Sequence, residues 1–459
     1  MPMPTIGGHS VAQRVVPLLL TGVLAGGSLN ALAADFSVST GEDQFDGICN
    51  SHCSLRDAVA AANALPGADR ILLGAGSYTL SLPADVGGEG ESLDEDANLN
   101  GDLDIDDELS IVGLGAEQSF VRSTPAARDR VFEVLGNGRL LLQRLAVENG
   151  RTWFYGGGLE NHGQVRLDRV HFNFNRASGA FEPGNGGGIA NYGSLMVDSS
   201  RFQNNSSSAG EGSFGHGGAI LNRGSLTVRD SNFSGNSASD DDDAALGGAI
   251  ANQGQADITR SVFVGNRVPT NGSGAAISND KGGVLKLTNS TLSGNFGPGS
   301  VSNGQYYPPG GGIPRAQLIN VSIVGNTGYG LNNFGKLSLR NSLIIGNHDE
   351  YEEEALNCNN IGPQASYQAS GLLLGNGPGN CTAELYRENS QTFTQVLYPL
   401  ADNNNPALPT HALRAGSPAL DAGLGSCTQH DQRGASRPRD GDGDGVAVCD
   451  LGAYERPKP

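Results

Sequence analysis

The sequence predicts an all-β protein, a right-handed parallel β-helix with a short capping α-helix at its N-terminal end and irregular coils at its C-terminal end. Three observations lead to this fold class. Short internal repeats recur from about Gly156 to Asn347, apolar residues alternate within them, and the chain contains 69 glycines while aromatic residues make up only 6%. The tight turns of a solenoid account for this composition better than a large globular core does.

Each strong repeat opens with a glycine pair and closes with Phe-x-x-Asn. The opening motifs begin at Gly156, Gly186, Gly217 and Gly247, with a weaker copy at Gly274. The closing motifs span residues 172–175, 202–205, 233–236 and 263–266, and degenerate copies end at Asn295, Asn326 and Asn347. Alternation such as Leu226 and Val228 predicts short strands with one inward face. One coil cannot bury that face alone, but coils stacked about 4.8 Å apart can.

The repeat register places asparagines in two columns. The first column contains Asn161, Asn191, Asn222 and Asn252. The second contains Asn175, Asn205, Asn236, Asn266, Asn295, Asn326 and Asn347. Stacked amides can satisfy one another and the backbone of the turns, so we interpret both columns as structural ladders rather than catalytic residues.

Residues 1–33 have the features of a signal peptide. Arg14 precedes an apolar run from Val15 to Leu24, and Ala31-Leu32-Ala33 fits a small-residue cleavage site. We therefore expect an exported protein whose mature chain starts near Ala34. No later stretch approaches the roughly 20 apolar residues that a membrane-spanning helix needs.

The rest of the chain divides into three regions. They are an N-terminal cap at 34–70, the β-helix at 71–347, and irregular C-terminal coils with a cap at 348–459. An open β-helix end exposes core side chains and therefore needs a cover. The segment from Ser54 to Ala64 predicts a capping helix, because Ser54 can be its N-cap with Asp57 three residues later.

Cysteine and charge content restrict the environment and the partners. The six cysteines fall in neighbouring pairs, Cys49 with Cys53, Cys358 with Cys381, and Cys427 with Cys449. In an oxidising compartment these pairs predict three disulfides, although six cysteines allow fifteen connectivities. The formal net charge of -19 argues against nucleic acid and anionic membranes as partners, because nothing neutralises phosphates in bulk. We expect a monomer.

Three sequence features resemble known bacterial families. The run Cys53-Ser54-Leu55-Arg56-Asp57-Ala58-Val59 resembles the signature of the CSLREA-domain proteins, with Asp57 in place of that family's glutamate. The C-terminal runs at 416–423, 431–434 and 449–455 resemble the ending of choice-of-anchor Q proteins. The repeats resemble the GGA(I/L/V) and FxxN motifs of the polymorphic outer-membrane adhesins. These resemblances imply a β-helix that is secreted or lies on the outer surface of a bacterial cell, with an adhesive role.

Two acidic loops are candidate calcium sites. The first places oxygen ligands with the spacing of an EF-hand loop, at Asp96, Asn98, Asn100, Asp104 and Asp107. The second has the same opening but closes one residue early, and its acidic residues are Asp440, Asp442, Asp444 and Asp450. Calcium is the one cofactor that the sequence suggests, and the alternative is an acidic surface loop in each case.

Residues beyond a minimal coil fall at one corner, between Phe-x-x-Asn and the next glycine pair. These segments are 176–185, 206–216, 237–246, 267–273 and 296–309. Solenoids usually bind partners on the face that carries insertions. The aromatic residues there, Phe181, Phe214, Tyr306 and Tyr307, therefore form a candidate binding face, unless they only pack on the coil.

Catalytic candidates are fewer. In one outward column Asp168, Asp198 and Arg229 follow one another on successive coils, which suggests a lyase or hydrolase face; solvated strand surface is the simpler interpretation. We therefore favour a protein of adhesin type that binds a glycan or a cell-surface protein. The alternatives are a polysaccharide lyase or glycoside hydrolase and a structural component of the cell envelope.

Overall fold

The computed structural model describes residues 33–87, 93–179, 184–210, 215–240, 245–305, 311–351, 354–377 and 379–459. In these residues the chain forms a parallel β-helix, as the repeats predict. The predicted signal peptide lies outside the described residues, apart from Ala33.

The bounds of the elements follow in chain order. The N-terminal part contains β1 (Asp35–Ser37), α1 (Leu55–Asn63), β2 (Asp69–Leu72), β3 (Gly76–Leu80), β4 (Leu103–Ile105), β5 (Glu108–Val112), β6 (Ser119–Ser123), β7 (Phe132–Val134), β8 (Arg139–Gln143), β9 (Ala146–Glu148) and β10 (Arg151–Thr152). The strong repeats contain β11 (Leu159–Asn161), β12 (Gln164–Asp168), β13 (His171–Asn173), β14 (Arg176–Ser178), β15 (Ile189–Asn191), β16 (Ser194–Asp198), β17 (Arg201–Gln203), β18 (Ser206–Ala209), β19 (Ile220–Asn222), β20 (Ser225–Arg229), β21 (Asn232–Ser234), β22 (Ser237–Asp240), β23 (Ile250–Asn252), β24 (Gln255–Thr259) and β25 (Val262–Val264). The remainder contains β26 (Ile277–Asn279), β27 (Val284–Thr288), β28 (Thr291–Ser293), β29 (Phe296–Asn303), β30 (Arg315–Ile319), β31 (Ser322–Val324), β32 (Thr327–Asn333), β33 (Lys336–Ile345), β34 (Cys358–Asn360), β35 (Ser366–Gly375), β36 (Leu385–Arg387), a 3-10 helix (Asn389–Gln391) and a π-helix (Thr392–Val396).

One coil of the repeat consists of four short strands, as in β11 to β14. Each strand pairs in parallel with its equivalent in the next coil, for example β11 with β15 and β12 with β16. The strands equivalent to β11 form one sheet that runs from β4 to β34. The strands equivalent to β12 and β13 belong to a larger sheet, and β10, β14, β18 and β22 form a small sheet of their own.

The inward residues of each strand stack on themselves along the coils. Phe172, Phe202, Phe233 and Phe263 are fully buried, and the ring centroids of successive pairs lie 5.2, 4.8 and 4.8 Å apart. Burial of each such side chain contributes about 1.5–3 kcal/mol. The stack confirms the predicted register, because it places the four Phe-x-x-Asn motifs on successive coils.

The first glycine of each opening pair turns a corner that other residues cannot turn. At Gly217 φ is +67°, and a Cβ there would lie 2.2 Å from the carbonyl oxygen of Ile220. The glycine pair is therefore a backbone requirement of the coil.

Both predicted asparagine columns are hydrogen-bonded ladders. In the first, Asn161 Nδ2 donates to Asn191 Oδ1 at 2.6 Å, and the ladder continues through Asn279, Asn303, Asn333 and Asn360. In the second, Asn236 Nδ2 donates to Asn266 Oδ1 at 2.9 Å, and the ladder extends beyond Asn347 to Asn357 and Asn389.

A third ladder is made of serines and has no counterpart in the sequence analysis. The backbone N–H of Ser200 donates to Ser231 Oγ at 3.1 Å, and Ser231 and Ser261 donate in the same way to the next coil. These serines are buried, so the ladder satisfies backbone groups that water cannot reach.

Three boundaries differ from the sequence interpretation. The large sheet already begins within the predicted cap at 34–70, because β1 pairs with β2 and β2 pairs with β5. The corner segments at 176–185, 206–216 and 237–246 begin with strands β14, β18 and β22, where we expected loops. Their inward residues are small, Ala177, Ser207 and Ala238, so no apolar alternation marked them. The coils also continue past Asn347, because β34 pairs with β32 and β35 pairs with β33.

The N-terminal cap is the predicted helix. Helix α1 begins after the N-cap Ser54, whose side chain accepts from the backbone of Asp57, and the side chain of Asp57 accepts from the backbone of Ser54. All three predicted disulfides are present, and the described residues contain no free cysteine.

The C-terminal segment folds back along the side of the coils. Thr291 Oγ1 donates to Gln432 Oε1 at 2.7 Å, and the backbone N–H of Ala453 donates to Ser322 Oγ at 2.9 Å. His411 also lies against this side, 3.0 Å from Ser293 Oγ. Among the described residues, no helix is long and apolar enough to cross a membrane.

Candidate functional site

A column of carboxylates occupies the outer face of the sheet at its N-terminal end. The parallel register aligns Asp104 of β4, Glu133 of β7 and Glu160 of β11. Their neighbours along the strands, such as Phe132 and Leu159, lie in the core. Because side chains alternate between the faces of a strand, the three carboxylates point away from the core.

This carboxylate column is nevertheless buried. The residues carrying it, Asp104, Glu133 and Glu160, are 0%, 5% and 6% exposed. Four further carboxylates belong to the same cluster or lie within its electrostatic reach, namely Asp94, Asp96, Asp102 and Asp129. We call these seven residues the acidic pocket.

One guanidinium neutralises part of the acidic pocket. Arg130 lies 3.0 Å from Asp94, 3.4 Å from Asp102 and 3.0 Å from Glu160, and it also pairs with Glu133. Its side chain is only 6% exposed. Four of the seven carboxylates therefore pair with one buried guanidinium.

Burial raises several pKa values in the pocket, and the charges of neighbouring carboxylates add to the effect. Burial raises the pKa of Glu133 to about 8, although the charge of Arg130 acts to lower it. Burial also raises the pKa of Asp104 to about 7 and that of Asp129 to about 6. For Asp102, burial and the charge of Asp129 raise the pKa well above its ordinary value. Without an additional cation the pocket therefore retains protons near neutral pH.

Beside the pocket, side chains that follow the first asparagine ladder form a row along the coils. His162 and Tyr192 stack with their ring centroids 4.9 Å apart and their planes within 2°. Tyr155 meets Tyr192 edge to face at 5.9 Å, and the Arg223 guanidinium lies 5.5 Å from the Tyr192 ring. Arg223 Nε also donates to Gln253 Oε1 at 3.2 Å. We call these five residues the ring shelf.

A contact between His162 and Glu160 joins the shelf to the pocket. His162 Nε2 lies 3.0 Å from Glu160 Oε1, and this hydrogen bond raises the pKa of His162. The His162 side chain is 42% exposed. The shelf therefore presents aromatic rings, an imidazole and a guanidinium, and the buried carboxylate of Glu160 lies in contact with the imidazole. The Gln253 amide positions Arg223.

The predicted ligands of the EF-hand-like loop do not all lie at one place in the structure. Carboxylate oxygens of Asp96 and Asp104 lie within 4.8 Å of each other and of Glu133. Asn98 instead exchanges hydrogen bonds with the backbone of Asp104, and Asp107 accepts from the backbone of Gly67 at 3.1 Å. The Oδ1 of Asn100 is buried, and within the described part of the chain it has no hydrogen-bond partner.

The carbonyls of this loop surround a protein cation. The Arg56 guanidinium, on helix α1, donates to the carbonyl oxygens of Asn100, Gly101 and Asp102 at 3.0, 2.7 and 2.6 Å. It also pairs with Asp43 at 2.8 Å, and both side chains are buried. The loop backbone therefore holds an arginine where an EF-hand loop would direct a carbonyl at calcium.

The second acidic loop brings two of its predicted residues together. Asp440 and Asp442 lie with Asp421, each offering an oxygen within 4.8 Å of the others. Asp440 accepts from two backbone N–H groups and pairs with Lys458 at 3.0 Å. Asp444 accepts from the backbone of Val446 (2.7 Å), and Asp450 accepts from the backbones of Asp421 and Arg456 at 2.9 and 2.6 Å. Calcium at this loop stays a prediction.

The predicted catalytic residues lie on successive strands. Asp168, Asp198 and Arg229 are in register on β12, β16 and β20. Asp198 pairs with Arg166 at 3.4 Å, and Asp168 pairs with Arg169 at 2.9 Å. A groove of about 290 Å³ lies on the same sheet, and its lining includes Glu108, Arg139, Gln164, Arg166, Ser194 and Met196. We call it the strand groove.

The predicted aromatic binding face lies outside the described residues. This holds for all four of its members, Phe181, Phe214, Tyr306 and Tyr307.

The amino-acid sequence alone did not identify Arg130, Glu133 and Glu160 as members of the site. A signal for Glu160 was present, because Glu160 occupies the position that holds alanine or leucine in the other strong Gly-Gly motifs. Glu133 aligns with it only once Phe132–Val134 is recognised as the preceding coil, 27 residues earlier.

Comparisons with known proteins concern the fold. Neither a protein-family model nor a curated protein matches the chain. Among solved structures, the chain is similar to pectate lyase Pel9A, with 15% sequence identity, a TM-score of 0.48, and coverage of 92% of this chain and 96% of that chain. It is also similar to the PL6 family alginate lyase AlyGC, with 13% identity, a TM-score of 0.32, and coverage of 83% of this chain and 55% of that chain.

Proposed function

We propose that this protein is an extracellular β-helix of adhesin type that binds a glycan at the ring shelf. The observation that carries the proposal is the row of His162, Tyr192, Arg223 and Gln253 on successive coils. Coils repeat about every 4.8 Å, so a linear polymer that runs along the helix axis meets one of these side chains per coil.

The chemistry of the row suits sugars. Aromatic rings provide apolar surface at a low cost in conformational entropy, and guanidinium and imidazole groups donate hydrogen bonds to hydroxyl oxygens. The rings are held by one another and by Tyr155, so little order has to be gained on binding. The shelf is therefore a preorganised surface rather than a set of mobile side chains.

The first prediction concerns Tyr192, the centre of the shelf. We expect Tyr192→Ala to weaken binding to a responsive glycan at least tenfold, because it removes the ring that holds both His162 and Arg223. A panel of neutral and acidic polysaccharides, measured by affinity electrophoresis and calorimetry, provides the test. Tyr351→Ala is the control, since Tyr351 is 77% exposed and away from the shelf.

Two outcomes contradict the proposal. One is an equal loss of affinity in the Tyr192 and Tyr351 variants. The other is the absence of binding to every polysaccharide in the panel by a wild-type protein whose folding circular dichroism confirms. The aromatic loop residues Phe181, Phe214, Tyr306 and Tyr307 remain a second predicted contact surface, which alanine variants in the same assay would test.

A polysaccharide lyase or hydrolase is the second candidate function, favoured by the strand groove. Asp168 and Asp198 lie one coil apart on the same sheet, and Arg166, which pairs with Asp198, lines the groove. A carboxylate can act as a general base, and an arginine beside it can bind the carboxylate of an acidic sugar.

An activity assay distinguishes this candidate from binding alone. If the protein depolymerises a polysaccharide, we expect Asp198→Ala to abolish the release of reducing or unsaturated ends. Asp257→Ala is the matched control, because Asp257 forms a comparable pair with Lys286 on the same sheet. Binding without any shortening of the polymer argues against the enzyme.

A further inference from the structure

Two carboxylate triads in the acidic pocket share Glu133. One consists of Asp94, Asp102 and Glu133, and the other of Asp96, Asp104 and Glu133. Within each triad, one oxygen atom from every residue lies within 4.8 Å of the others. Oxygens that share one Ca²⁺ at about 2.4 Å can lie no more than about 4.8 Å apart, so both triads meet this requirement.

The first triad already has a cation. Arg130 pairs with Asp94, Asp102 and Glu133, and its side chain is buried with them. Its guanidinium therefore pairs with every carboxylate of this triad and offsets part of their negative charge.

The second triad differs in this respect. Among the described residues, no lysine, arginine or histidine pairs with Asp96 or Asp104, and Glu133 is shared with Arg130. The charges of Glu95, Asp94 and Asp96 lie close enough to Asp104 to add to the effect of burial on its pKa. Three carboxylates therefore converge where the described chain provides no further cation.

A buried oxygen atom points independently to a ligand at this place. Asp104 is 0% exposed, and its Oδ1 has no hydrogen-bond partner among the residues that the structure describes. Its other oxygen, Oδ2, accepts from the backbone of Asn98 at 2.9 Å. A carboxylate oxygen that is removed from water normally has a donor or a metal ion beside it.

We propose that Asp96, Asp104 and Glu133 bind a divalent cation, with Ca²⁺ as the ion that fits an all-oxygen site completed by water. The site is open to solvent at Asp96, which is exposed, and closed at Asp104. Its ligands come from β4, from β7 and from the segment before β4 that contains Asp96. The ion therefore joins that segment to both strands. The inference does not rest on glycan binding.

Calcium titration of the chelator-treated full chain tests this site. We expect the wild-type protein to show saturable binding by calorimetry, together with a rise in melting temperature in CaCl₂ that EDTA reverses. Asp96→Asn and Asp104→Asn should weaken the affinity at least tenfold. Asp106→Asn is the matched control, because Asp106 is an exposed carboxylate on the same loop and lies outside both triads; its affinity should stay within twofold of wild type.

Several results overturn the proposal. They are the absence of calcium binding by the folded wild-type protein, an affinity of Asp96→Asn within twofold of wild type, and a loss in Asp106→Asn equal to that in Asp96→Asn. Loss of all binding in Asp442→Asn with retention in Asp96→Asn would assign calcium to the C-terminal loop and reject this site. Should Asp104→Asn fail to fold, Asp96→Asn decides, because its side chain is exposed.

Discussion

At the scale of single residues, the buried charge of Arg56 is stabilised by a carboxylate and by backbone carbonyl groups. Arg56 has a fully buried side chain, yet its guanidinium meets the carboxylate of Asp43 and carbonyls of the 98–102 loop. A buried guanidinium is tolerated only when its donors are used in this way. Arg56 therefore joins the capping helix to the 98–102 loop.

This arrangement predicts the effect of removing the side chain. We expect Arg56→Ala to lower the free energy of unfolding by about 3–5 kcal/mol, because Asp43 and the loop carbonyls would lose a buried partner. Chemical denaturation measures this change. Arg70→Ala is the control, because the Arg70–Asp35 pair is half exposed, and it should leave the midpoint unchanged. Equal midpoint shifts in both variants would contradict the assigned role of Arg56.

At the scale of elements, each coil is specified by ladders rather than by long strands. Many strands have only three residues, so their stability depends on the coils above and below. The asparagines and phenylalanines were recognisable in the sequence because they repeat at fixed positions with a distinctive side chain. The serine ladder was not, since serine is common at turns, and β14, β18 and β22 lack the large apolar residues that reveal strands.

The candidate site, like the ladders, could be predicted from the sequence only in part. Asp96 and Asp104 were predicted ligands, and the structure places them near each other. EF-hand spacing also predicts Asn98, Asn100 and Asp107 as ligands. Asn98 bonds to the backbone of Asp104 and Asp107 to the backbone of Gly67, and neither belongs to the triads. Linear spacing describes a loop that wraps an ion, whereas here the partner residue Glu133 comes from the next coil.

At the scale of the whole molecule, the C-terminal segment covers one side of the coils. His411 lies at this junction, 2% exposed, with Nδ1 2.9 Å from the carbonyl oxygen of Tyr398 and Nε2 3.0 Å from Ser293 Oγ. Burial lowers the pKa of His411 to about 4. The neutral imidazole is therefore part of the docked arrangement.

A pH dependence follows from this value. As the pH falls from about 6.5 to about 4, the unfolded chain takes up a proton at His411 and the folded chain does not, so stability decreases by up to about 3 kcal/mol. We expect His411→Asn to be less stable at pH 7 but to lose less stability over this range. Denaturation midpoints across the pH range measure the difference.

The pH dependence of His411→Asn must be compared with that of the wild-type protein, because other groups also titrate between about pH 6.5 and 4. Burial raises the pKa of Asp450 to about 6 and that of Glu455 to about 7. The folded chain therefore binds protons at these groups more tightly than the unfolded chain, and they increase stability as the pH falls. His52→Asn, at an exposed histidine, is the control and should follow the wild-type curve. Parallel curves for His411→Asn and wild type would remove His411 as the cause.

The sequence by itself determined the solenoid, because its defining contacts join equivalent positions of successive repeats and are therefore written as periodicity. It also determined both asparagine ladders, the capping helix and the three cysteine pairs, since each depends on residues with a regular or local spacing. Only the tertiary structure decided the site. Residues 94–104, 129–133 and 160 meet through coil stacking, and nothing in their linear spacing shows that they share one pocket with one arginine.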